Sequence, residues 1–193
     1  QREFIGDIGR EADRLGRLTQ KLLTLTKLDS SVEEEREILD AAPVVRKVVR
    51  MLLPLARLRG IGIDTTFEPD CSVMTVEDDL YQIVFNLTEN AIKYNRQDGW
   101  VGVSVRRAGD QVELRVEDSG AGIPPESMEH IFERFYRVDK ARSRAAGGAG
   151  LGLSIVHDMV ERSYGTITVQ ARPGGGTIFT VRFPHFDLEE DET

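Results

Sequence analysis

The stretch from Leu80 to Tyr94, LYQIVFNLTENAIKY, places the strongest constraint on what this chain can fold into. Its apolar residues recur at the spacing of an amphipathic helix that packs on a core, at Leu80, Ile83, Val84, Leu87 and Ala91. Beside this stripe lie Asn86, Asn90 and Lys93, spaced i, i+4 and i+7. Carboxamide oxygens suit Mg²⁺ and an ammonium group suits phosphate, so this edge predicts a site for a metal-bound phosphate. Asparagines that only hydrogen-bond neighbouring backbone groups are the alternative.

Composition narrows the classes of protein to which this chain can belong. It has 193 residues, 40% of them hydrophobic, which is enough for one domain with its own core and a smaller appendage. A net charge of -8 argues against a general binder of nucleic acid or anionic membranes, because no basic surplus is available to displace counterions. The single cysteine, Cys71, allows no intramolecular disulfide, and no apolar run is as long as a membrane span. We therefore expect a soluble protein from a reducing compartment.

The N-terminal part, from Gln1 to Asp29, is predicted to be one long helix. Its apolar residues alternate in steps of three and four, interrupted by Glu11 at one position, which is a heptad seam: Phe4, Ile8, Leu15, Leu18, Leu22 and Leu25. A single helix cannot bury such a seam, so it needs a partner. A two-fold helical bundle is favoured, and packing on the rest of this chain is the alternative. The acidic stretch Glu33–Glu35 is predicted to be a solvated connector.

Downstream of this helix, the sequence predicts a mixture of strands and helices. Pro43 lies in the first turn of a predicted helix that runs to Arg59, since a missing N–H is tolerated there. Alternating apolar residues predict strands at Arg36–Leu39, Ile61–Phe67, Ser72–Thr75, Trp100–Arg107, Gln111–Glu117, Gly165–Ala171 and Thr177–Phe183. A short helix is predicted over Ser127–Phe135, another over Leu151–Arg162, and a disordered acidic tail over Asp187–Thr193.

A second candidate site lies directly after the strand Gln111–Glu117, where the sequence reads DSGAGI. Asp118 is followed by Gly120 and Gly122, which let the backbone approach a flat ligand closely. The carboxylate of Asp118 can accept a hydrogen bond from an exocyclic amine such as adenine N6, and it rejects a carbonyl group at that place. Taken alone this pattern is weak, because turns rich in Asp and Gly are common.

A third candidate site is the glycine-rich stretch Gly147–Leu153, which leads into the helix Leu151–Arg162. Free backbone N–H groups and the positive end of the helix dipole make such a junction suited to phosphate. A plain flexible linker is the alternative, and the apolar residues that follow directly weaken it. The preceding stretch Val138–Ala146 has no periodicity and is predicted to be a mobile loop; Arg134 and Arg137 stand among aromatic residues just before it.

Four motifs in this order, NLTENAIKY, DSGAGI, FERFYR and GGAGLGL, resemble the four boxes of the ATP-binding catalytic domain of sensor histidine kinases of two-component systems. That domain belongs to an ATPase superfamily that includes gyrase, mismatch-repair and heat-shock chaperone ATPases. The resemblance covers Arg36 to Pro184, and Gln1–Ser30 is similar to the second helix of the family's dimerisation hairpin. It implies an α+β fold: a two-layer α/β sandwich with a mixed sheet and helices on one face, preceded by one long helix. The implied domains are 1–30, 31–186 and an acidic tail, 187–193.

The resemblance also implies roles for individual residues. ATP and Mg²⁺ are the implied cofactors, Asn90 is the implied Mg²⁺ ligand, and Asn90, Lys93 and Arg137 are the implied catalytic residues. Lys93 and Arg137 correspond to phosphate contacts, and Asp118 corresponds to the adenine-reading carboxylate. The implied nucleotide contacts together are Asn86, Asn90, Lys93, Tyr94, Asp118, Gly120, Gly122, Ile123, Arg137, Gly148, Gly150, Leu151 and Gly152.

One departure from the family concerns the phosphate acceptor. The family's acceptor histidine on the first hairpin helix has no counterpart here, and the three histidines are His130, His157 and His185. We therefore expect the chain to bind ATP but not to autophosphorylate by itself. The implied partners are its own acceptor-histidine helix, a second copy in a homodimer and a response regulator receiver domain, with no nucleic acid. The implied location is a cytoplasmic domain of a membrane-anchored parent; a non-catalytic nucleotide-binding or scaffold module is the alternative function.

Glu89 is an acidic residue beside the asparagines of the central helix. By helix angle it points about 100° away from Asn90. This favours an orientation toward solvent or toward the dimerisation hairpin over a role as general base.

Overall fold

The computed structural model describes residues 16, 19, 22–26, 35–138 and 150–187, and these form two β-sheets covered by helices. The smaller sheet is antiparallel and pairs β1 (Glu37–Asp40) with β3 (Ser72–Thr75). The larger sheet contains, in spatial order, β2 (Gly62–Phe67), β4 (Trp100–Ala108), β5 (Gln111–Asp118), β7 (Thr177–Pro184) and β6 (Thr166–Ala171). The β2–β4 pair is parallel and the other pairs are antiparallel, so the sheet is mixed.

Helices α1 (Ala41–Leu58), α2 (Glu77–Lys93) and α3 (Gly152–Arg162) pack on one face of the larger sheet. The start of α1 is fixed by Asp40, whose carboxylate accepts a hydrogen bond from the backbone N–H of Ala42 at 3.1 Å. The apolar stripe predicted for α2 is buried, with its members Leu80, Ile83, Val84, Leu87 and Ala91 at most 5% exposed. The predicted α+β class, with two layers and helices on one face of a mixed sheet, is confirmed.

Strand β5 separates a core face from an open face. Val112, Leu114 and Val116 point toward the helices and are buried, as the alternating pattern predicts. Because successive side chains point to opposite faces, Asp118 at the end of the strand lies on the helix side, whereas Glu113 lies on the open side. The carboxyl groups of Asp118 and Glu113 therefore lie on opposite faces of the larger sheet.

The C-terminus of α2 is held by a residue from the turn after α1. The guanidinium of Arg59 donates from Nη1 to the carbonyl oxygens of Lys93 at 2.6 Å and Ile92 at 3.3 Å. The last carbonyl groups of a helix have no intrahelical partner, and a cation there is also favoured by the helix dipole. Arg59 thus fixes the end of the helix that carries the predicted phosphate contact.

The prediction of a helix over Ser127–Phe135 is wrong. Pro125–Ser127 form a single 3-10 turn, and residues 128–135 continue as turns and bends. Phe135 adopts a positive φ of 67° and its N–H donates to Gly150 O at 2.9 Å, so its backbone bonds to a distant segment and not to a helical turn.

Most of the predicted N-terminal helix lies outside the described residues, although residues 22–26 are helical. Leu25 is buried in the same hydrophobic cluster as the residues of α1 and the sheets, whereas Leu22 is exposed. At Leu25, therefore, the seam packs on the rest of this chain, the alternative to a two-fold bundle. The predicted tail beyond Asp187 and the loop residues 139–146 also lie outside the described residues. Among the helices of the described residues, none has the length and apolar character needed to cross a membrane.

Candidate functional site

Helix α2 presents the predicted row of Asn86, Asn90 and Lys93 at its C-terminal half. Asn86 is buried, and its Nδ2 has no hydrogen-bond partner among the described residues. Leaving a buried polar group without a partner costs about 1–3 kcal/mol, so native structures rarely do so without a ligand or water to satisfy it. Asn90 and Lys93 are half-buried on the same side of the helix. This wall of α2 has the donors and acceptors that a phosphate with its metal ion requires.

Lys93 forms an ion pair with Glu89, one turn earlier on α2. Lys93 Nζ lies 2.9 Å from Glu89 Oε1, and the two side chains are only 27% and 19% exposed. Of the two predicted orientations of Glu89, the ion pair and low exposure argue against the one toward solvent, and the one toward the dimerisation hairpin stays a prediction. The helix angle gives the direction of a Cα–Cβ bond, but a glutamate is long enough to reach back along the helix to the residue at i+4.

Asp118 ends β5 as a buried carboxylate held by backbone amides. It is 8% exposed, and its Oδ1 accepts a hydrogen bond from the N–H of Gly120 at 2.7 Å. Burial raises the pKa of Asp118 above its ordinary value, and the amides of Gly120 and Thr177, which donate to the carboxylate, partly oppose that rise. Asp118 forms no ion pair with any side chain in the described part of the chain. A buried carboxylate held in this way is suited to accept a hydrogen bond from an amine group of a ligand.

The turn after Asp118 lies directly against the end of α2. The N–H of Ala121 donates to Tyr94 O at 3.4 Å. A side chain at Gly120 would put its Cβ 2.6 Å from the same oxygen, so only glycine allows this approach. Ser119 adds to the contact, because its Oγ donates to Oδ1 of Asn95, just past the end of α2, at 3.2 Å. The structure thus brings together the α2 wall and the Asp118 turn, as the predicted site requires.

Two residues of this site, Gly176 and Thr177, were not predicted from the sequence. Gly176 has a φ of +108°, and a Cβ there would lie 1.9 Å from Asp118 O. The next residue, Thr177, is buried and donates its N–H to the Asp118 carboxylate. The signal that could have found them is the run Pro173-Gly174-Gly175-Gly176, because three successive glycines exceed what a hairpin turn needs.

The segment before α3 holds the remaining predicted residues. Gly150 has a φ of +72°, its carbonyl accepts from Phe135, and Leu151 is fully buried directly before Gly152 begins α3. Arg137 is half-buried, as is Ile123, which packs against the core. Gly148 lies outside the described residues, so the centre of the predicted phosphate cradle stays a prediction.

Side-chain contacts join the FERFYR segment to α3. The guanidinium of Arg134 donates from Nη2 to Asp158 Oδ2 at 3.2 Å. The ring of Phe132 lies 5.5 Å from the ring of His157, centroid to centroid. His157 also faces Glu161, at 3.5 Å, and these contacts are those expected of a part-buried structural histidine.

A groove of about 450 Å³ on the open face of the large sheet is a separate feature. Its lining comes from β2, β4 and β5, and it includes Asp64, Trp100, Arg115 and Glu117. None of the predicted site residues borders it, so it is not the candidate site.

Comparison with known proteins finds a family model that covers the segments of the candidate site. Residues 75–187 match the family model described as histidine kinase-, DNA gyrase B-, and HSP90-like ATPase, and this range contains α2, the Asp118 turn and α3. The sensor-like histidine kinase SenX3 of Mycobacterium tuberculosis is 36% identical over 184 residues, which are 95% of this chain and 45% of that protein. The chain spans about half the length of the curated relatives that it matches.

Solved structures of similar chains have the same fold. The mycobacterial sensor histidine kinase MprB is 29% identical with a TM-score of 0.67, over 79% of this chain and 99% of that one. Full-length ShkA in complex with AMPPNP is 28% identical with a TM-score of 0.82, over 97% of this chain and 39% of that one.

Proposed function

This chain belongs to the family of histidine kinase-, DNA gyrase B- and HSP90-like ATPases, and we propose that it donates the γ-phosphoryl group of ATP to a histidine of a sensor kinase. It is homologous to sensor histidine kinases and carries their ATP-binding catalytic domain. The acceptor histidine stands on a dimerisation helix that is not part of this sequence. The chain alone is therefore expected to bind ATP without becoming phosphorylated.

The observation that carries this proposal is the direct contact between the end of α2 and the Asp118 turn. The contact through Tyr94 and Ala121 brings the turn that holds the buried Asp118 carboxylate against the end of the helix that carries the carboxamide and ammonium groups. The amine group of adenine can donate to the Asp118 carboxylate, and the oxygen atoms of a triphosphate can bind to the carboxamide and ammonium groups of α2. ShkA, a structural relative, was solved with AMPPNP, an ATP analogue, which supports the same class of ligand here.

Each residue has a separate task in the proposed transfer. Asp118 accepts the hydrogen bond of the adenine amine and so fixes the position of the nucleotide. Lys93 and Arg137 neutralise phosphate charge, while Asn86 and Asn90 supply carboxamide groups to the phosphate region. The carboxamide oxygen of Asn90 fits a Mg²⁺ ligand, and a bound Mg²⁺ supplies positive charge for the phosphates. Positioning and charge neutralisation are what phosphoryl transfer chiefly requires, so no general base from this domain is needed.

The parent protein is proposed to act as a homodimer in a two-component system. Its phosphohistidine would pass the phosphoryl group to an aspartate of a response regulator receiver domain. A protein of the same fold, ThkA, was solved in complex with the response regulator TrrA; it is 22% identical to this chain, with a TM-score of 0.75. The domain is proposed to lie in the cytoplasm, in a parent anchored to the cell membrane. Residues 1–30 are proposed to be the second helix of the dimerisation hairpin, 31–186 the catalytic domain and 187–193 an acidic tail.

A reconstitution in two parts tests the proposal. Calorimetry with Mg²⁺ and ATP is expected to give saturable binding. A separately made hairpin that carries the acceptor histidine, added with labelled ATP, is expected to become labelled at histidine. Asn90→Ala should abolish the transfer, and Gln82→Ala, which removes a carboxamide two turns earlier on α2, should leave it intact.

Each part of the reconstitution can fail separately. Binding without transfer would favour the alternative, a non-catalytic nucleotide-binding module. Absence of ATP binding by folded protein would refute both readings. Acid-labile phosphohistidine on the chain alone would contradict the absence of an acceptor.

A further inference from the structure

The ion pair between Glu89 and Lys93 lies inside the proposed phosphate region. Glu89 Oε1 and Lys93 Nζ are 2.9 Å apart, with glutamate four residues N-terminal to lysine, the more favourable order on a helix. The cation assigned to phosphate is thus paired with a carboxylate of the same helix.

This pair differs from another one on the same helix. Glu77, in the first turn of α2, pairs with Lys47 at 3.7 Å, and both of those side chains are more than half exposed. Water and salt screen such an exposed pair strongly. The side chains of Glu89 and Lys93 are 19% and 27% exposed, so the charge of Glu89 acts on its surroundings with much less screening.

A polyphosphate that approaches Lys93 therefore meets the negative charge of Glu89. Without a metal ion, each phosphate oxygen is repelled by the carboxylate and has to compete with it for the same ammonium group. A divalent cation on the phosphates offsets much of this repulsion, because it removes two units of negative charge from the nucleotide and itself attracts Glu89. Asn90, the proposed metal ligand, is the next residue in the chain, so the cation and the carboxylate would belong to the same turn of α2.

We propose that Glu89 makes this site selective for metal-loaded nucleotide, an inference that rests on the proposed function. The charge of Glu89 weakens the binding of a nucleotide without a divalent cation, and it weakens the binding of a nucleotide that carries the cation far less. The selectivity arises from the partly buried carboxylate beside Lys93, and it does not require Glu89 to bind the metal ion or to move a proton.

Nucleotide affinity with and without metal tests this assignment. Titration calorimetry would measure the Kd of ATP in excess Mg²⁺ and again in EDTA, for the wild-type chain, Glu89→Gln and Glu89→Ala. In both variants we expect Kd in EDTA to fall by about tenfold while Kd in Mg²⁺ changes by less than about threefold. The ratio of the two constants therefore drops. Glu77→Gln removes the same charge from the same helix and is expected to leave the ratio unchanged.

The outcomes separate this inference from the proposed function. If the wild-type chain binds ATP but the variants keep its ratio, or weaken binding equally in both conditions, Glu89 only supports the helix and the inference is overturned. The same conclusion follows if circular dichroism shows both variants to be unfolded. If the wild-type chain binds ATP in neither condition, the proposed function itself fails.

Discussion

Strand β5 carries two buried carboxyl groups, those of Glu113 and Asp118, whose surroundings shift their pKa values in opposite directions. Glu113, on the open face, is 3% exposed, and it accepts hydrogen bonds from Arg106 on β4 and Arg182 on β7, its direct neighbours in register. Burial raises its pKa, but the two guanidinium groups outweigh that effect, and the pKa of Glu113 lies below its ordinary value. Burial raises the pKa of Asp118, on the helix side, above its ordinary value, and it outweighs the hydrogen bonds from the backbone amides of Gly120 and Thr177 and the charge of Arg172, which lower that pKa. The difference teaches that a buried carboxylate paired with two guanidinium groups serves the sheet, whereas one held chiefly by backbone amides is suited to the proposed ligand.

The two ends of β5 also differ in what holds them. The Glu113 end of β5 is held by contacts between long side chains, and these side chains can adjust to small changes in the residues around them. The Asp118 end depends on backbone segments that touch, with Gly120 against the end of α2 and Gly176 against Asp118 itself. A change of one methyl group is therefore expected to disturb the second end more than the first.

Replacement of Gly176 by alanine is expected to have the largest effect. The new Cβ would lie 1.9 Å from Asp118 O, in a backbone conformation that alanine rarely adopts, so a loss of about 3 kcal/mol or more of folding stability and of nucleotide binding is predicted. Urea denaturation and ATP titration measure these losses. Gly174→Ala is the matched control, because its φ of +85° imposes a similar strain while the nearest atom is 4.0 Å away. Equal effects of the two changes would contradict the role of the close contact.

Replacement of Asp118 by asparagine comes next and should separate binding from stability. The variant is expected to bind ATP about 100-fold more weakly, because it loses a charged acceptor for the adenine amine. The folded pKa of Asp118 is raised, so its ionised form costs stability above the ordinary value of 3.8. Thermal denaturation between pH 3 and 7 should therefore show the variant gaining on the wild-type chain as the pH rises. A constant difference across that range would sink the argument.

Replacement of Glu113 by glutamine is expected to give the smaller effect, and the opposite pattern. It should cost about 2 kcal/mol of stability at neutral pH and leave ATP affinity unchanged. The folded pKa of Glu113 is lowered, so its contribution is present above the ordinary value of 4.5 and is lost as the pH falls through the folded value. The stability gap between variant and wild-type chain should thus close in acid. A change in ATP affinity would show that the two ends of β5 are not independent.

The parts of the site that could be predicted are those whose signal is local. Asn86, Asn90 and Lys93 share one helix, and the helical period alone puts them on one side of it. The turn after Asp118 is likewise contained in a few residues. In both cases the residues that form the pattern in the sequence are also the residues that lie together in the structure.

The parts that could not be predicted depend on contacts between distant segments. Thr177 reaches Asp118 only because β5 and β7 pair in a register that opposes Glu117 to Ile178, and no local pattern encodes that register. FERFYR has a helix-compatible composition, yet Phe135 bonds to Gly150 and ends up outside any helix.

Strand β1 and the two residues that follow β7, His185 and Phe186, both lie against β3. Glu37 of β1 is opposite Thr75, and the N–H of Phe186 donates to Ser72 O at 3.1 Å, so the chain enters and leaves the domain within one short strand. A domain whose two ends lie close together can be inserted into a longer polypeptide without separating the flanking parts of the host chain. It also means that a circular permutant, cut at the exposed Ala108–Gln111 hairpin and closed by a linker from Asp187 to Glu35, should keep the contact between α2 and the Asp118 turn.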